Sequence, residues 1–118
     1  MRLNLRRFDV VLVDFGITEK GEQGGRRPAI IIQNDCGNFF STTTIVMPLS
    51  TNINKNPNQP THTLLKKGHE KGLVSDSIVL GECMRQVSEN RIIKKLGTVV
   101  DPYERKEIKR VYDANFGE

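Results

Sequence analysis

This sequence of 118 residues has no tryptophan and only two cysteines, Cys36 and Cys83. Two cysteines without a Cys-x-x-Cys spacing argue against a disulfide scaffold and a cysteine-based metal site, so reduced structural thiols are expected. No apolar run approaches the about eighteen residues of a membrane-spanning helix, and the amino terminus lacks the apolar segment of a secretion signal. The expected protein is cytoplasmic, with no membrane partner.

Local motifs of several enzyme classes are also missing. The sequence has no glycine-rich phosphate loop ending in Lys-Ser, no His-Glu-x-x-His and no nucleophile elbow. The segment between His62 and His69 contains no carboxylate to orient either ring. A histidine acid–base pair is therefore poorly supported, and both histidines are expected on the surface or in a strand. The sequence predicts neither a cofactor nor a metal.

The composition describes one soluble domain over residues 1–118. Hydrophobic residues make up 36% and charged residues 27% of the chain, so the core is lean and a dimer would help to complete it. The net charge of +4 and the isoelectric point of about 9.3 favour a polyanionic partner, although many basic surfaces bind nothing. Because the basic residues are scattered, only the fold can assemble a nucleic-acid patch.

Runs of β-branched and aromatic residues predict a mainly β (α+β) architecture. The second strand should be central and covered on both faces, because its apolar residues do not alternate with polar ones. Pro48 implies an edge, a bulge or the end of the third strand, and Gly81 a bulge or a close backbone approach. A turn is expected at 34–38. The predicted strands are 8–15, 29–33, 42–49, 61–65, 76–80 and 82–87.

Two helices are expected late in the chain. Ser88 is predicted to cap a short helix at 88–96, followed by Gly97. Asp101 is predicted to cap a C-terminal helix over about 101–115, with Pro102 in its first turn. The residues expected to face inward are Ile92, Ile93 and Leu96 in the first helix and Ile108, Val111 and Tyr112 in the second.

Polar residues that can bind phosphate lie at the ends of neighbouring predicted strands. Arg27 follows Gly24-Gly25 and precedes Pro28, which biases it towards extended geometry at the start of the second strand. A hairpin turn at 34–41 would place Arg27 beside Ser50 and Thr51 at the end of the third strand. An arginine beside a hydroxyl is suited to gripping a phosphate. A solvated arginine and a turn-capping serine are the plainer alternatives.

A third polar group comes from the last predicted strand. Glu82 is positioned to orient Arg27 or to accept a proton, and Arg85 and Gln86 follow it. The alternatives are a simple ion pair between Glu82 and Arg85, and a small core residue at Cys83.

Several segments together resemble one known family. The chain contains EQGGRRPAIIIQND at 22–35, TTTIVMPLS at 42–50, PTH at 60–62, DSIVL at 76–80 and ECMRQV at 82–87. In this order and spacing they look like the MazF/PemK/Kid family of toxin endoribonucleases, over essentially the whole chain. The resemblance implies an SH3-like twisted antiparallel β-barrel that forms a homodimer and cleaves single-stranded mRNA without a metal. It also implies a MazE-like antitoxin with an acidic disordered tail.

The resemblance extends to single residues. Arg27 matches the catalytic arginine of the family, and Ser50 falls where the family usually has a catalytic threonine. Glu82 matches an acidic residue of the RNA-contacting strand and is the candidate general base. Cys83 and Gln86 replace a frequent glutamine and threonine, which leaves the base preference open. The residues expected to bind RNA are Glu22, Gln23, Gly24, Arg26, Thr51, His62, Cys83, Arg85 and Gln86.

The implied reaction is attack of the RNA 2′-hydroxyl on the adjacent phosphorus, which leaves a 2′,3′-cyclic phosphate and a 5′-hydroxyl. The glycine-containing loop at 16–26 is expected to order over bound RNA and to yield to an antitoxin. Two alternatives remain: a non-catalytic SH3-like module that binds RNA or protein, and a gyrase-poisoning toxin of the same fold. The pairing of Arg27 with Ser50, and a terminus without tryptophan, favour the nuclease.

Overall fold

The structure, a computed structural model, describes residues 4–17, 24–54 and 59–116. In these ranges seven strands form one antiparallel sheet of order β4-β5-β3-β2-β1-β7, and β6 pairs with the free part of β3. The strands are β1 Asp9–Asp14, β2 Arg26–Ile31, β3 Thr43–Ser50, β4 His62–Leu65, β5 Ser77–Leu80, β6 Arg85–Ser88 and β7 Ile92–Thr98. The helices are α1 Asp35–Phe40 and α2 Pro102–Ala114, and short 3₁₀ turns span Gly81–Cys83 and Glu89–Arg91.

This architecture confirms the predicted mainly β fold with a C-terminal helix. Strand pairing does not close the predicted SH3-like barrel between β4 and β7 in the described part of the chain. The amide of Thr98 on β7 instead donates to the carbonyl of Glu70, in the loop that follows β4. No helix among the described residues is long and apolar enough to cross a membrane.

The core lies on both faces of the central strands. Ile30 packs in one apolar cluster with Val10 and Met47, whereas Ile31 packs in a second cluster with Val46. Neighbouring residues of a strand point to opposite faces, so β2 is buried on each side. The prediction of a central strand covered on both faces is confirmed.

Pro48 lies inside β3 rather than at an edge or at the end of the strand. On one side β3 pairs with β2. On its other side it pairs with β6 as far as Val46 and with β5 from Leu49 onwards. The proline, which has no N–H to donate, therefore falls where the second neighbour changes, and this explains its place in a central strand.

The predicted helix at 88–96 is wrong. Ser88 does act as a cap, because its hydroxyl accepts from the amide of Asn90, but it caps only the 3₁₀ turn Glu89–Arg91. The chain then continues as β7 along β1, with register shifts on both sides of Val11 and Leu12. These irregularities break the two-residue alternation, and the apolar residues acquire a helix-like spacing. Gly97 lies in β7, where the Glu70 carbonyl leaves no room for a side chain.

Two shorter predictions are also corrected. Residues 34–38 are not a turn but the start of helix α1, which is capped by the side chain of Asn34 accepting from the amide of Gly37 at 2.8 Å. The predicted strand at 82–87 begins only at Arg85, because Gly81–Cys83 forms a 3₁₀ turn. Glu82 and Cys83 therefore lie on a turn rather than on a strand.

Helix α2 holds the end of the sheet that carries β4. Asp101 caps it and Pro102 occupies its first turn as predicted. Ile108 and Val111 are buried in the first core cluster, and Tyr112 packs against that cluster. Arg110 on the outer face donates to the carbonyls of Pro60 and His62 at 2.9 and 3.1 Å. The helix therefore fixes the backbone on which part of the candidate site is built.

A buried ion pair attaches the loop after β4 to α2. Lys71 is 5% exposed, and its Nζ lies 2.8 Å from Glu104 and 3.3 Å from Glu70. Burial alone would lower the pKa of Lys71, but the hydrogen bonds and charges of Glu104 and Glu70 outweigh it and raise that pKa. A backbone hydrogen bond and Lys71 lower the pKa of Glu70. The contribution of Glu70 to stability is lost as pH falls through its lowered pKa. The contribution of Lys71 is lost as pH rises through its raised pKa.

The close approach predicted at Gly81 is tested by Gly81→Ala. An added Cβ would collide with Val111 and come within 2.7 Å of the Thr61 carbonyl. We expect the free energy of unfolding in urea to fall by about 1–3 kcal/mol. Val111→Ala should cost less in the Gly81→Ala background than in the wild type, because it removes one of the two clashes. Unchanged stability of Gly81→Ala would contradict this packing.

Candidate active site

The strand register brings Arg27 and Ser50 together. Ala29 pairs with Pro48 and Ile31 with Val46 across β2 and β3. Continuing this register by two residues places Arg27 directly opposite Ser50. The Arg27 side chain is part-buried, and its Nε donates to the carbonyl of Gly24 at 3.0 Å. The guanidinium is therefore held at the end of the sheet where the chain enters β2.

Arg85 belongs to the same face of the sheet. It pairs with Val46, and cross-strand partners share a face, so it lies on the side of the second core cluster together with Arg27 and Ser50. Its guanidinium carbon lies 5.5 Å from the centre of the Phe15 ring. The amide of Phe15 in turn donates to the carbonyl of Gly25. Phe15 therefore links Arg85 to the chain segment that carries Arg27.

Ser50 presents a hydroxyl at the end of β3. It lies opposite Ile78 of β5, and its Oγ accepts from the amide of Asn52 at 3.2 Å. That bond fits the turn-capping alternative, but it uses only an acceptor position, so the hydroxyl proton can still be donated to a phosphate oxygen. Thr51 is exposed, and its carbonyl accepts from Ile53.

Glu82 is the centre of a hydrogen-bond network that the sequence did not indicate. Its carboxylate accepts from the Thr61 hydroxyl at 2.8 Å and from the Gln59 side chain at 3.1 Å. The Nε2 atom of His62 lies 2.8 Å from the same carboxylate. His62 is only 2% exposed, which confirms a strand residue and excludes a freely solvated ring. Its position in a buried pair makes direct contact with RNA difficult without rearrangement.

Only the fold could reveal this pair. His62 and Glu82 are 20 residues apart, and they meet because His62 pairs with Leu80 across β4 and β5. The hydrogen bonds described for Glu82 join it to residues 59–62 and to the Cys83 thiol, at 3.9 Å. Its expected roles, as the group that orients Arg27 and as the general base, stay predictions.

The other expected RNA-binding residues are dispersed around this centre. Arg26 is exposed, with its Nε 4.0 Å from Asp14. Gln86 is exposed and donates to the Thr43 hydroxyl at 2.8 Å. Gly24 is described at the end of the loop. Glu22, Gln23 and the rest of 18–23, which form most of the loop predicted to order over RNA, lie outside the described residues. Within 4–17, 24–54 and 59–116, no three His, Cys, Asp or Glu side chains form a group suited to a metal ion.

Comparisons with known proteins agree over nearly the whole chain. A sequence profile described as PemK-like, MazF-like toxin of type II toxin-antitoxin system matches residues 6–114. A protein named Endoribonuclease MazF from Staphylococcus saprophyticus is 41% identical over 113 residues, which are 96% of this chain and 92% of the relative. A protein of the same name from Staphylococcus epidermidis is 39% identical with the same coverage.

Solved structures share the fold at lower sequence identity. The crystal structure of MazF (Form-I) from Deinococcus radiodurans has a TM-score of 0.75 and 21% identity, and the match covers 97% of each chain. An endoribonuclease in complex with its cognate antitoxin, from a mycobacterial species, has a TM-score of 0.76 and 18% identity over 96% of this chain and 95% of that one.

The contribution of the His62–Glu82 pair is tested by His62→Asn. The shorter asparagine side chain cannot span the distance to Glu82, so the buried side chain at position 62 loses its contact with that carboxylate. We expect the free energy of unfolding to fall by about 1–3 kcal/mol. His69→Asn, at an exposed position in the turn, is the matched control and should stay within about 0.5 kcal/mol of the wild type. Equal effects of the two substitutions would show that the pair contributes little.

Proposed function

Because this chain belongs to the family of PemK-like, MazF-like toxins of type II toxin-antitoxin systems, we propose that it is an endoribonuclease toxin that cleaves single-stranded mRNA at specific sequences. The observation that carries this proposal is the pairing of Ala29 with Pro48, a register that puts Arg27 across from Ser50 when it is continued by two residues. Arg85, whose guanidinium lies over the Phe15 ring, adds a second cation on the same face.

The proposed chemistry is transesterification by the RNA itself. The 2′-oxygen forms a bond to the adjacent phosphorus, and the bond from phosphorus to the 5′-oxygen breaks. The products are a 2′,3′-cyclic phosphate and a 5′-hydroxyl, whose oxygen takes up a proton from water as it leaves. No metal is required for this reaction because the nucleophile is internal and already positioned.

Each side chain has a defined task in this proposal. Arg27 stabilises the negative charge that develops on the phosphorane oxygens, for which a guanidinium offers fixed paired donors. Ser50 donates its hydroxyl to a non-bridging oxygen. Glu82 accepts the proton of the 2′-hydroxyl. Its carboxylate orientation is fixed by the hydrogen bonds from Thr61 and His62.

The proposed partners follow from the same chemistry. A MazE-like antitoxin with an acidic disordered tail would neutralise the toxin by placing carboxylates on Arg27 and Arg85 in place of RNA phosphates. Solved relatives include an endoribonuclease with its cognate antitoxin and MazE–MazF of Deinococcus radiodurans. We propose a homodimer that acts in the cytoplasm, where mRNA is available.

The assignment of Arg27 is tested by Arg27→Ala, with Arg26→Ala as the matched control. Neighbouring residues of a strand face opposite sides, so Arg27 shares the face of Ser50 and Arg26 does not. A long single-stranded RNA is incubated with protein in EDTA and its new ends are mapped. We expect the wild type to leave cyclic phosphate ends, Arg27→Ala to cleave about 10²–10³-fold more slowly, and Arg26→Ala to be far less affected.

Two outcomes would contradict this proposal. Intact RNA after incubation with folded, antitoxin-free wild type would favour a non-catalytic binding module. Equal losses in Arg26→Ala and Arg27→Ala would show that general charge, rather than the placement of Arg27, drives cleavage.

The role of the hydroxyl at Ser50 is tested by comparing Ser50→Ala with Ser50→Thr. A hydrogen bond to a charged group contributes about 1.5–3 kcal/mol, so we expect Ser50→Ala to lower kcat about 10–100-fold. Ser50→Thr keeps the hydroxyl and should cleave within a few-fold of the wild type. If Ser50→Ala retains full kcat, the serine is only a turn cap.

A further inference from the structure

A second concentration of positive charge lies at the opposite end of the sheet from Arg27. A cleft of about 500 Å³ opens there beside the start of β1. Asp9, at the start of β1, is four residues from Val13, the partner of Arg27, which corresponds to about 13 Å along the strand. We call it the basic cleft, after the four cations that line it: Arg6, Arg7, Lys95 and Arg105.

An aromatic ring at the cleft is contacted by two of these cations. The guanidinium carbons of Arg7 and Arg105 lie 5.3 and 4.7 Å from the centre of the Phe8 ring. Phe8 has a φ of 74°, a left-handed conformation that is costly for a bulky residue. Its backbone is held there by bonds to Ile31 and Val99. The fold thus tolerates local strain at the position that keeps the ring beside both guanidinium groups.

The carboxylates of the cleft are largely occupied by other donors. Asp9 is 2% exposed and accepts from the amide of Arg6 at 2.8 Å and the hydroxyl of Thr98 at 2.9 Å, with Lys95 at 3.4 Å. Asp35 accepts from the amide of Arg7 at 2.8 Å. Asp9 pairs with one of the four cations, Lys95, but two carboxylates cannot balance four cations, so the cleft keeps a net positive charge.

One cationic nitrogen in the cleft needs an acceptor that the described residues do not provide. The Nε atom of Arg7 is buried and has no hydrogen-bond partner among them. Buried donors are almost always satisfied, and an anion bound in the cleft would supply the missing acceptor. Arg105 uses its Nε to donate to the carbonyl of Val99 at 2.7 Å. This bond orients its fork and leaves the two terminal nitrogens to meet an anion.

We propose that the basic cleft binds a backbone phosphate of the RNA chain at a distance from the cleaved bond, an inference that rests on the proposed function. Two guanidinium groups, oriented by Phe8, offer the paired donors that suit phosphate oxygens. The contact carries no base information, so it strengthens binding of long RNA without changing the sequence that is cleaved.

The first experiment does not depend on cleavage. Inorganic phosphate is titrated into the protein while the arginine Nε–H signals are followed by NMR. We expect saturable shifts at Arg7 and Arg105 that disappear in Arg105→Gln. Lys106→Gln, which removes one cation from the adjacent exposed position of α2, is the matched control and should keep the Arg7 shift.

The second experiment measures KM and kcat on two RNAs with the same cleavage sequence, one just long enough to be cleaved and one extended at both ends. Arg105→Gln should raise KM for the long RNA about three- to tenfold and leave kcat and the short RNA unchanged. The slope of log affinity against log salt should fall by about 0.7 for the lost contact. Lys106→Gln should change none of these.

A second variant guards against loss of folding. Arg105→Gln also removes packing on Phe8, so its unfolding curve is measured together with that of Arg6→Gln. The exposed Arg6 side chain can be replaced without touching the ring. Arg6→Gln should raise KM for the long RNA in the same direction as Arg105→Gln.

Three results would overturn the inference. Absence of phosphate-dependent shifts at Arg7 and Arg105 would show that the basic cleft does not bind an anion. If phosphate binds but no variant changes KM for either RNA, the basic cleft is a site for free phosphate. Shifts caused by an acidic antitoxin peptide but not by phosphate would make it a protein-docking site. If the wild type cleaves no RNA, the proposed function fails, and the phosphate titration and salt-dependent binding of the uncleaved long RNA still decide the cleft.

Discussion

The antiparallel register between β2 and β3 is the constraint on which the candidate site depends. It pairs Ala29 with Pro48, and from that pairing the positions of Arg27 and Ser50 follow. A slip by one residue would exchange the two buried faces of β2 and turn Arg27 away from Arg85. On its other side β3 changes neighbour from β6 to β5 around Pro48, which has no N–H to donate to either strand.

The electrostatics of both sheet ends follow one scheme, in which a guanidinium lies against an aromatic ring. Arg85 lies over Phe15 near Arg27, and Arg7 and Arg105 lie over Phe8 in the basic cleft. An aromatic ring orients a guanidinium but leaves its positive charge in place. A carboxylate in the same position would neutralise that charge. Cations therefore lie at both ends of one sheet, and an extended polyanion that followed the sheet would meet both.

Much of this arrangement could be predicted from the sequence where local chemistry decides the structure. The apolar run at 29–33 predicted a doubly covered strand, and Asp101 with Pro102 predicted the start of α2. The helix predicted at 88–96 was wrong because bulges in the pairing of β7 with β1 disturb the alternation that identifies a strand. Those bulges depend on a partner some 80 residues away in the chain, as the pairing of Val13 with Ile92 shows.

The same distinction between local and long-range signals applies to the candidate active site and the basic cleft. Family resemblance singled out Arg27, Ser50 and Glu82, but no local signal linked His62 to Glu82 or placed two arginines at the ring of Phe8. Both arrangements join residues distant in sequence: His62 meets Glu82 through the β4–β5 pairing, and Arg105 reaches Phe8 from the C-terminal helix. Contacts of this kind arise from tertiary packing, which a single sequence does not encode in any readable period.

Whether Arg27 and Ser50 act on the same phosphate is decided by a double-mutant cycle. Single-turnover cleavage rates are measured for the wild type, Arg27→Ala, Ser50→Ala and the double variant. Residues that act as a unit show strongly non-additive effects. We expect the double variant to cleave little more slowly than Arg27→Ala. Fully additive losses in a folded double variant would show that the two residues act independently and would contradict the account.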